Sequence, residues 1–380
     1  MKVAIIGSGI SGLAAAHTLH GHADLTLFEA ADYFGGHTHT VDITLPTPGG
    51  PVTHGVDTGF LVFNERTYPA LIQLFEELGI ETVKSDMSFS VQAPGALSGR
   101  SLEWSGSSLD TVFAQRSNLL NPRFIRMLRD LLRFNALCTR LAIANQDTEL
   151  MQPLANFLEL HRFSAEFRDW YFLPMLGCIW SCPTDQMLQF PVATMIRFCH
   201  NHGLMQVSNR PQWWTVKGGA RHYVDKITAA IADKRLNTPV RRIERDPGTA
   251  TAGVRITTDH GTETFDKVIL ATHSDQSLAL LHSPSREEQE TLGAVRYQPN
   301  RAILHTDPAL LPRDRKLWSA WNYFAGSGAP GQQPVGVSYL INRLQPLPFE
   351  TPVVVTLNPA REPDPAKVIA EFDYDHPIFD

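Results

Sequence analysis

The first thirty residues combine two apolar strands, a glycine-rich turn and a helix in an order that few folds accommodate. Val3–Ile6 is an uninterrupted apolar run, typical of a strand buried on both faces of a parallel sheet. It leads into a GxGxxG motif at Gly7–Gly12 and an alanine-rich helix, and a second strand, Leu25–Phe28, ends at Glu29. This order predicts a β-α-β unit that places a dinucleotide pyrophosphate at the N-terminus of the helix.

The residues of the motif indicate how such a ligand is held. Gly7 permits a tight turn, Gly9 lets the backbone approach a pyrophosphate, and Gly12 allows the helix to pack closely on the strand. Glu29 is placed to accept hydrogen bonds from ribose hydroxyls. Because its carboxylate would repel a phosphorylated ribose, NADP is disfavoured.

The segment after Glu29 indicates which dinucleotide binds. Where a NAD-binding domain would normally begin another helix, the chain has the glycine pair Gly35 and Gly36, and Gly55–Phe60 adds further small residues. Small residues let the backbone pass close to a flat ring system, which favours a flavin. The run Glu29–His37 resembles the flavin amine oxidase superfamily, which includes monoamine oxidases, protoporphyrinogen oxidase and phytoene desaturases.

The resemblance extends over most of the chain. The segment Val56–Asn64 is similar to a bacterial branch of that superfamily described as NAD/FAD-binding proteins. Further similar stretches are Phe198–Leu204, Trp214–Gly219, Ser319–Tyr323 and Tyr374–Pro377. The resemblance implies an α/β fold with a Rossmann-like FAD-binding domain and a discontinuous α+β substrate domain. We expect residues 1–85 and 205–290 to form the first domain, and residues 86–204 and 291–380 the second.

FAD is the cofactor that these motifs imply, and the resemblance adds contacts from later in the chain. The backbone of Val240 would contact adenine, and Ala271 and Thr272 would approach the pyrophosphate. For Val240, plain strand core is the stronger reading from the sequence alone. The candidate cofactor-binding residues are Gly7, Ser8, Gly9, Ser11, Gly12, Glu29, Ala30, Gly35, Gly36, His37, Thr38, Gly59, Phe60, Val240, Ala271 and Thr272.

Candidates for catalysis are fewer. Because a flavin performs hydride chemistry itself, neither a catalytic triad nor a metal site is expected. Many amine oxidase relatives carry a lysine whose ammonium approaches the reactive flavin nitrogen through a water. Arg301 falls nearest to that lysine, but arginine is not an equivalent replacement, and a structural ion pair explains it equally well. The weak pocket candidates are the aromatic residues Phe63, Trp214, Trp321 and Tyr339, which lie in or near family-like segments.

These observations predict an FAD-dependent oxidoreductase that removes hydride from a C–H of an apolar substrate, either a small molecule or a lipid. Acyl-chain desaturation is favoured over amine oxidation, because members of the similar branch are often linked with fatty-acid-modifying methyltransferases. Two alternatives stay open. One is a non-catalytic lipid or prenyl carrier of the Rab escort type, which shares the superfold without using a flavin. The other is a NAD-linked dehydrogenase.

Composition narrows the setting in which the protein works. With 380 residues, two or three domains or one large discontinuous domain are expected, and 43% apolar residues suffice for a large core. The net charge of −6 provides no basic excess for binding nucleic acid. The four cysteines, Cys138, Cys178, Cys182 and Cys199, are too few for a secreted disulfide framework. Reduced thiols and a cytoplasmic location, with or without membrane association, are therefore predicted.

One predicted helix has an unusual distribution of charge. Helices are predicted at residues 68–78, 119–144, 150–175 and 220–233, and strands at 239–243, 252–258, 263–265, 268–272, 302–305 and 353–357. In the second helix, Arg126, Arg129, Arg133 and Arg140 fall within about 60° of one another at 100° per residue. Residues 123–140 therefore form a basic amphipathic helix, which is either an ordinary solvated face or a peripheral contact with an anionic membrane.

The end of the sequence carries one further expectation. Relatives close the flavin site with a C-terminal strand, a glycine-rich turn and a helix. Here no glycine follows Gly336, and the sequence ends at His376–Asp380. We therefore expect the closing segment to be missing and the affinity for FAD to be weakened.

Overall fold

The computed structural model describes residues 1–144, 150–180, 183–206, 210–245, 253–326 and 335–378. Within these ranges the strands, in chain order, are β1 Lys2–Ile6, β2 Asp24–Phe28, β3 Thr40–Thr47, β4 Gly50–Asp57, β5 Phe63–Asn64, β6 Thr82–Ser85, β7 Phe89–Leu97, β8 Arg100–Ser105, β9 Trp213–Val216, β10 Asp233–Arg235, β11 Val240–Arg245, β12 Val254–Thr258, β13 Gly261–Phe265, β14 Lys267–Leu270, β15 Arg296–His305, β16 Trp321–Ala325, β17 Val335–Leu340, β18 Val354–Leu357 and β19 Val368–Ile378.

The helices of the same ranges are mostly short, with one long exception of 23 residues at Pro122–Ala144. In chain order they are α1 Ile10–Leu19, α2 Pro69–Leu78, α3 Leu109–Val112, α4 Pro122–Ala144, α5 Leu154–Leu160, α6 Ala165–Phe167, α7 Leu173–Trp180, α8 Thr184–Met187, α9 Val192–Asn201, α10 Arg221–Ala229, α11 Ser274–Leu280, α12 Arg286–Leu292 and α13 Ile341–Leu344. Short 3-10 turns occur at Arg116–Leu120, Pro308–Leu310, Arg315–Leu317 and Pro365–Lys367, and a π-helical turn at Arg168–Phe172.

A four-stranded parallel sheet carries the glycine motif, with the strand order β10-β2-β1-β14. Residues Val3–Ile6 of its central strand β1 are all buried, as a parallel strand covered on both faces requires. Helix α1 packs on the sheet through Leu13 and Ala16, which are fully buried. The predicted β-α-β unit is confirmed, and so is the return of the chain to this sheet through β14.

The predicted helix at 220–233 is wrong in its last four residues. Helix α10 ends at Ala229, and Asp233–Arg235 forms β10, which extends the parallel sheet beside β2. The Thr26 hydroxyl donates to Asp233 (2.9 Å), and Arg235 forms ion pairs with Asp233 and Glu263. Thr26 and Glu263 lie far from this strand in sequence, so a three-residue edge strand leaves no local pattern to detect.

A seven-stranded mixed sheet forms the second large unit, with the order β19-β15-β18-β17-β16-β7-β8. Only β16 and β7 pair in parallel; the other neighbours are antiparallel. In the longest pairing, Asn300 of β15 lies opposite Tyr374 of β19, and Arg301 lies opposite Asp373. Helices α4 to α9 contribute to the same large apolar core as this sheet.

The continuous helix predicted over 150–175 is also wrong. Helices α5, α6 and α7 divide this region, with the π-helical turn joining the last two. Arg162 adopts a left-handed conformation (φ 53°), which ends the first helical segment. The Ser164 hydroxyl then accepts a hydrogen bond from the Phe167 amide and starts the next helix. Aromatic packing of this region is strong, but the periodicity does not reveal the break.

Three small sheets complete the strand arrangement of the described residues: the hairpin β3-β4, the sheet β5-β9-β6, and the sheet β11-β12-β13. None of the described helices combines the length and the apolar character needed to cross a bilayer. The thiols of Cys138, Cys178 and Cys199 are free and buried, whereas Cys182 lies outside the described residues.

Candidate flavin and substrate site

The turn between β1 and α1 leaves open space in front of one glycine. A side chain at Gly7 (φ 97°) would meet the Ala271 carbonyl oxygen at 2.6 Å, and a side chain at Gly12 would meet the Gly7 oxygen at 2.0 Å. At Gly9, the N-cap of α1, an added Cβ would meet nothing within 4 Å, and no side chain caps the helix. The free N–H groups of the first helical turn therefore face an unfilled volume, as an anion site requires.

Glu29 joins this turn to the following segment. Its carboxylate accepts hydrogen bonds from the Ser8 amide (2.9 Å), the Ser8 hydroxyl and the Ala31 amide (3.0 Å). The Ser8 oxygen in turn accepts a hydrogen bond from the Gly35 amide (3.1 Å). A carboxylate offers about four lone-pair positions. Three of them are used here, which leaves capacity for a ribose hydroxyl.

The second glycine pair packs directly against the first motif. Gly35 and Gly36 both have positive φ (122° and 58°), and a side chain at Gly36 would lie 3.1 Å from the Gly9 Cα. The Phe60 amide donates to the His37 carbonyl (2.7 Å), and a side chain at Gly59 would meet the same oxygen at 2.3 Å. Residues from 7–12, 35–38, 59–60 and 271 thus converge on one place in the fold.

Other predicted cofactor residues lie nearby or in the surrounding core. Thr38 is buried and bonded to the Tyr223 hydroxyl, whereas Ser11 and Ala30 are exposed. The Thr272 hydroxyl lies 2.8 Å from the Ser277 hydroxyl at the start of α11. Val240 is buried in an apolar cluster with Ile6 and Phe28. Its side chain therefore belongs to the core, as the sequence favoured.

Three imidazole rings gather beside the glycine pair. The His37 ring centroid lies 5.8 Å from that of His376 and 6.1 Å from that of His273, and the Tyr374 ring is 5.0 Å from His37. Loss of solvation, together with the two neighbouring imidazoles, lowers the pKa of His37 to about 4. His37 is therefore neutral at pH 7. Sequence reasoning named His37 but missed His273, which directly follows the return strand, and His376, in the family-like stretch Tyr374–Pro377.

A cavity of about 250 Å³ lies against the segment 58–62 and against Tyr374 and His376. Most of its lining is apolar or aromatic, and it includes two predicted pocket residues, Trp321 and Tyr339, whose rings meet edge to face at 5.0 Å. Among the described residues that line it, none carries a carboxylate, an ammonium or a guanidinium group. The lining residues are Thr58, Gly59, Phe60, Leu61, Val62, Tyr68, Met87, Cys178, Ile179, Phe198, His202, Leu204, Trp213, Trp321, Tyr339, Leu357, Tyr374 and His376.

A buried carboxylate that sequence reasoning missed holds the segment before Thr58. Asp57 accepts hydrogen bonds from Thr40, the Ala220 amide (2.9 Å) and the Gln345 side chain (2.7 Å). Burial raises the pKa of Asp57 to about 6, against the effect of these donors. Asp57 thus ties the end of β4 to the start of α10 and to Gln345, which follows α13. Its place within the motif Val56–Asn64 was the available signal.

Comparison with known proteins identifies the family to which this chain belongs. The sequence profile of the family described as flavin containing amine oxidoreductase matches residues 10–348. The chain belongs to this family. Because the family is one of flavin-containing oxidoreductases, membership favours FAD over NAD and an oxidoreductase over the non-catalytic carrier.

The individual relatives share with this chain either a short stretch of similar sequence or a similar fold at low sequence identity. Over 118 residues the chain is 35% identical to tryptophan 2-monooxygenase of Allorhizobium ampelinum, a stretch that covers 30% of this chain but only 16% of that relative. Among solved structures, a CLA-producing fatty acid isomerase from P. acnes is similar with a TM-score of 0.64 at 16% identity, over 99% of this chain and 86% of that one. Cyclohexylamine oxidase from Brevibacterium oxydans is similar with a TM-score of 0.63 at 18% identity, over 98% and 84% of the two chains. These structural likenesses show the shared fold.

The residues of this chain fit FAD. The open volume at Gly9 and the N-terminus of α1 would take the pyrophosphate, and Glu29 would hold a ribose. Gly36 packs against Gly9 and Gly59 packs against His37 with no room for a side chain, so these segments lie close to the phosphate turn. When bound, FAD supplies a two-electron acceptor for hydride. The cavity beside Thr58–Phe60 is then a candidate substrate site.

Three predicted catalytic or pocket residues lie outside the cavity lining. Phe63 and Trp214 are cross-strand partners in the sheet β5-β9-β6. Arg301 pairs with Glu362 (2.8 Å) and Glu371 (2.9 Å). Because Asn300 and Tyr374 are register partners and Tyr374 lines the cavity, Arg301, one residue further on, points to the other face of the sheet. The structure therefore favours the ion-pair reading of Arg301.

Proposed function

We propose that this flavoenzyme removes hydride from a C–H of an apolar substrate, with desaturation of an acyl chain favoured over oxidation of an amine. The uncharged cavity beside Thr58–Phe60 is the observation that carries the proposal. A protonated amine in this cavity would lose its hydration without gaining a carboxylate partner, and such burial of an unpaired charge is strongly unfavourable. An acyl chain requires only apolar contacts.

Several polar groups of the cavity are already engaged; the buried Trp321 indole N–H is one that lacks a hydrogen-bond partner among the described residues. The Tyr339 hydroxyl donates to the Cys178 carbonyl (3.3 Å), and the Tyr374 and Thr58 hydroxyls bond to each other (2.7 Å). The His202 ring stacks on Phe198 at 3.9 Å, and burial lowers the pKa of His202, so this imidazole is neutral at pH 7. The cavity therefore offers an apolar substrate a wall with few unsatisfied polar atoms.

Desaturation also releases a proton from the carbon next to the one that loses hydride. His376 lines the cavity and belongs to the imidazole cluster around His37. Burial lowers the pKa of His376, although Asp375 opposes this effect. A neutral imidazole at the cavity wall can accept a proton, and we assign this role to His376.

Anaerobic reduction of the bound flavin tests the proposal. Holoenzyme is mixed with acyl-chain lipids or with alkyl amines, and the loss of oxidised-flavin absorbance is followed, with mass spectrometry of the product. We expect reduction by acyl chains and a product lighter by two hydrogens. Reduction by amines alone would refute the preference for acyl chains.

Two variants locate the reaction. Leu204→Asp puts a charge into the cavity wall and should slow reduction at least about tenfold, the equivalent of 1.4 kcal/mol. The matched control is Leu160→Asp, at an exposed leucine outside the cavity lining, and it should react at the wild-type rate. For the proton acceptor, His376→Gln should slow reduction by about 10²-fold or more while FAD stays bound. An unchanged rate in Leu204→Asp would place the substrate elsewhere.

A further inference from the structure

The solvent face of α4 carries a row of apolar side chains. Ile125, Leu132 and Ile143 are 43%, 58% and 74% exposed. At 100° per residue they fall within about 20° of one another, opposite the buried Phe134. A helix of an ordinary globular domain places polar residues on its outer face. Here the outer face has an apolar stripe of its own.

Arginines run beside this stripe. Arg126, Arg129, Arg133 and Arg140 lie at its edge, within about 60° of one another. The carboxylates near these arginines are less exposed than the arginines themselves. The Arg129 guanidinium lies 3.8 Å from the Asp130 carboxylate. The Asp130 side chain is 2% exposed, whereas the Arg129 side chain is 73% exposed. The acids of this region are thus nearly buried, and the guanidinium groups are the charges that reach solvent.

The apolar stripe continues before the helix begins. Leu119 and Leu120 close the preceding 3-10 turn, and Leu120 is 91% exposed. Both leucines share a surface depression with Ile125, Arg126 and Arg129. Residues 119–143 therefore present exposed leucine and isoleucine side chains with arginines beside them, and we call this surface the α4 face.

We propose that the α4 face docks on the surface of an anionic lipid bilayer, with Leu119 and Leu120 inserted among the lipids and the arginines at the phosphates. An exposed apolar stripe flanked by cations is the pattern of interfacial helices. The chain as a whole has a net charge of −6, so a cationic surface here is a local feature. A second copy is the poorer occupant, because a two-fold interface would set these arginines against one another.

The position of α4 adds a consequence for the enzyme. Its inner side packs on α9 through Cys138 and Cys199, and Phe198 of α9 lines the cavity. Helices α4 and α9 therefore lie between the docked bilayer and the cavity. The inference goes beyond the proposed function, since docking can be measured without any turnover.

Vesicle binding by the full-length holoenzyme tests this. Vesicles of phosphatidylcholine with about 30% phosphatidylglycerol should retain the protein in sedimentation, and binding should weaken as salt rises. Arg126→Gln with Arg129→Gln should weaken binding about twentyfold, since each arginine near an anionic surface contributes about fivefold. The matched control is Arg241→Gln with Arg286→Gln, which removes the same charge from exposed arginines elsewhere and should bind like wild type.

Insertion is tested separately. Leu119→Ser with Leu120→Ser should weaken binding about tenfold or more through lost apolar contact. Leu120→Trp should be quenched by lipids brominated on the acyl chain. Three results would each overturn the proposal: equal binding to vesicles of phosphatidylcholine alone, an equal loss of binding in the two arginine double variants, or no quenching of Leu120→Trp fluorescence. A fourth is a dimer of the wild-type protein in light scattering that becomes a monomer in Leu119→Ser with Leu120→Ser. Unchanged flavin absorbance verifies that each variant is folded, and activity toward acyl chains does not enter these measurements.

Discussion

Replacement of Gly9 by alanine separates cofactor binding from folding. The backbone of Gly9 (φ −61°, ψ 176°) is open to any residue, and an added Cβ meets no protein atom within 4 Å. As an N-cap, alanine is less favourable than glycine by about 0.5–1 kcal/mol. The flavin-free protein should therefore unfold with nearly the wild-type free energy.

The same methyl group stands where the pyrophosphate would lie. Displacing the phosphates by the width of a methyl group removes one hydrogen bond between an amide and a charged oxygen, about 1.5–3 kcal/mol. The Kd for FAD should rise about tenfold to a hundredfold. At FAD concentrations of about 100 wild-type Kd, cofactor stabilises the wild type by about 2.7 kcal/mol, and this stabilisation should fall to about 0.4–1.4 kcal/mol in Gly9→Ala.

Gly12→Ala is the matched control, since its Cβ would meet the Gly7 oxygen at 2.0 Å. That variant should lose stability with and without FAD, by about 1–3 kcal/mol or more for an overpacked site. The assays are fluorescence titration with FAD and chemical denaturation of each variant with and without cofactor. Wild-type FAD affinity in Gly9→Ala would refute the placement of the pyrophosphate. A flavin-free protein as unstable as Gly12→Ala would refute the reasoning from open space.

Three further predictions rest on single contacts. Arg301→Gln removes the two exposed ion pairs to Glu362 and Glu371, so stability should fall by about 0–1 kcal/mol for each pair. The rate of flavin reduction should stay at the wild-type value, and a slowed reduction would return Arg301 to the site. His305 is fully buried, accepts a hydrogen bond from the Asp307 amide and has its pKa lowered to about 4 by burial. In the unfolded chain this imidazole takes up a proton near pH 6.5, whereas in the native state it does so only near pH 4. About 3 kcal/mol of the free energy of unfolding should therefore be lost as the pH falls from 6.5 to 4. Denaturation of His305→Gln should lack this part of the pH dependence. Tyr374→Phe breaks the hydrogen bond to Thr58 at the cavity wall (2.7 Å), so denaturation should show a loss of about 1 kcal/mol; no loss would show that the bond is not formed.

Local patterns predicted the elements that carry their own signal. The apolar run Val3–Ile6 and the glycines after it are each explained within a few residues, and both lie in the structure where the sequence predicts them. The strand β10 was not predicted, because it is an edge strand held by contacts with Thr26 and Glu263. The division of the helices within 150–180 was not predicted either, because it depends on the left-handed conformation of Arg162. The proposed domain boundaries stay predictions.

The candidate site divides in the same way. Gly7–Gly12, Glu29 and Gly35–Gly36 could be named because backbone conformation and phosphate geometry restrict residue type. The sequence identified Arg301 as a candidate but did not show which face of the sheet it occupies. That depends on strand register, because a shift of one residue turns every side chain to the other face. His273 and His376 could not be associated with His37, since no local spacing links them.

The sequence by itself therefore determined the dinucleotide turn, the flavin and the family, because each depends on short-range constraints that only a few residue types satisfy. Only the tertiary structure decided which side chains surround the substrate cavity and that these are uncharged, because the lining comes from segments that fold together from across the chain. It also decided that the arginines of α4 border an exposed apolar stripe, since helical periodicity shows which residues share a face but not which face remains in solvent.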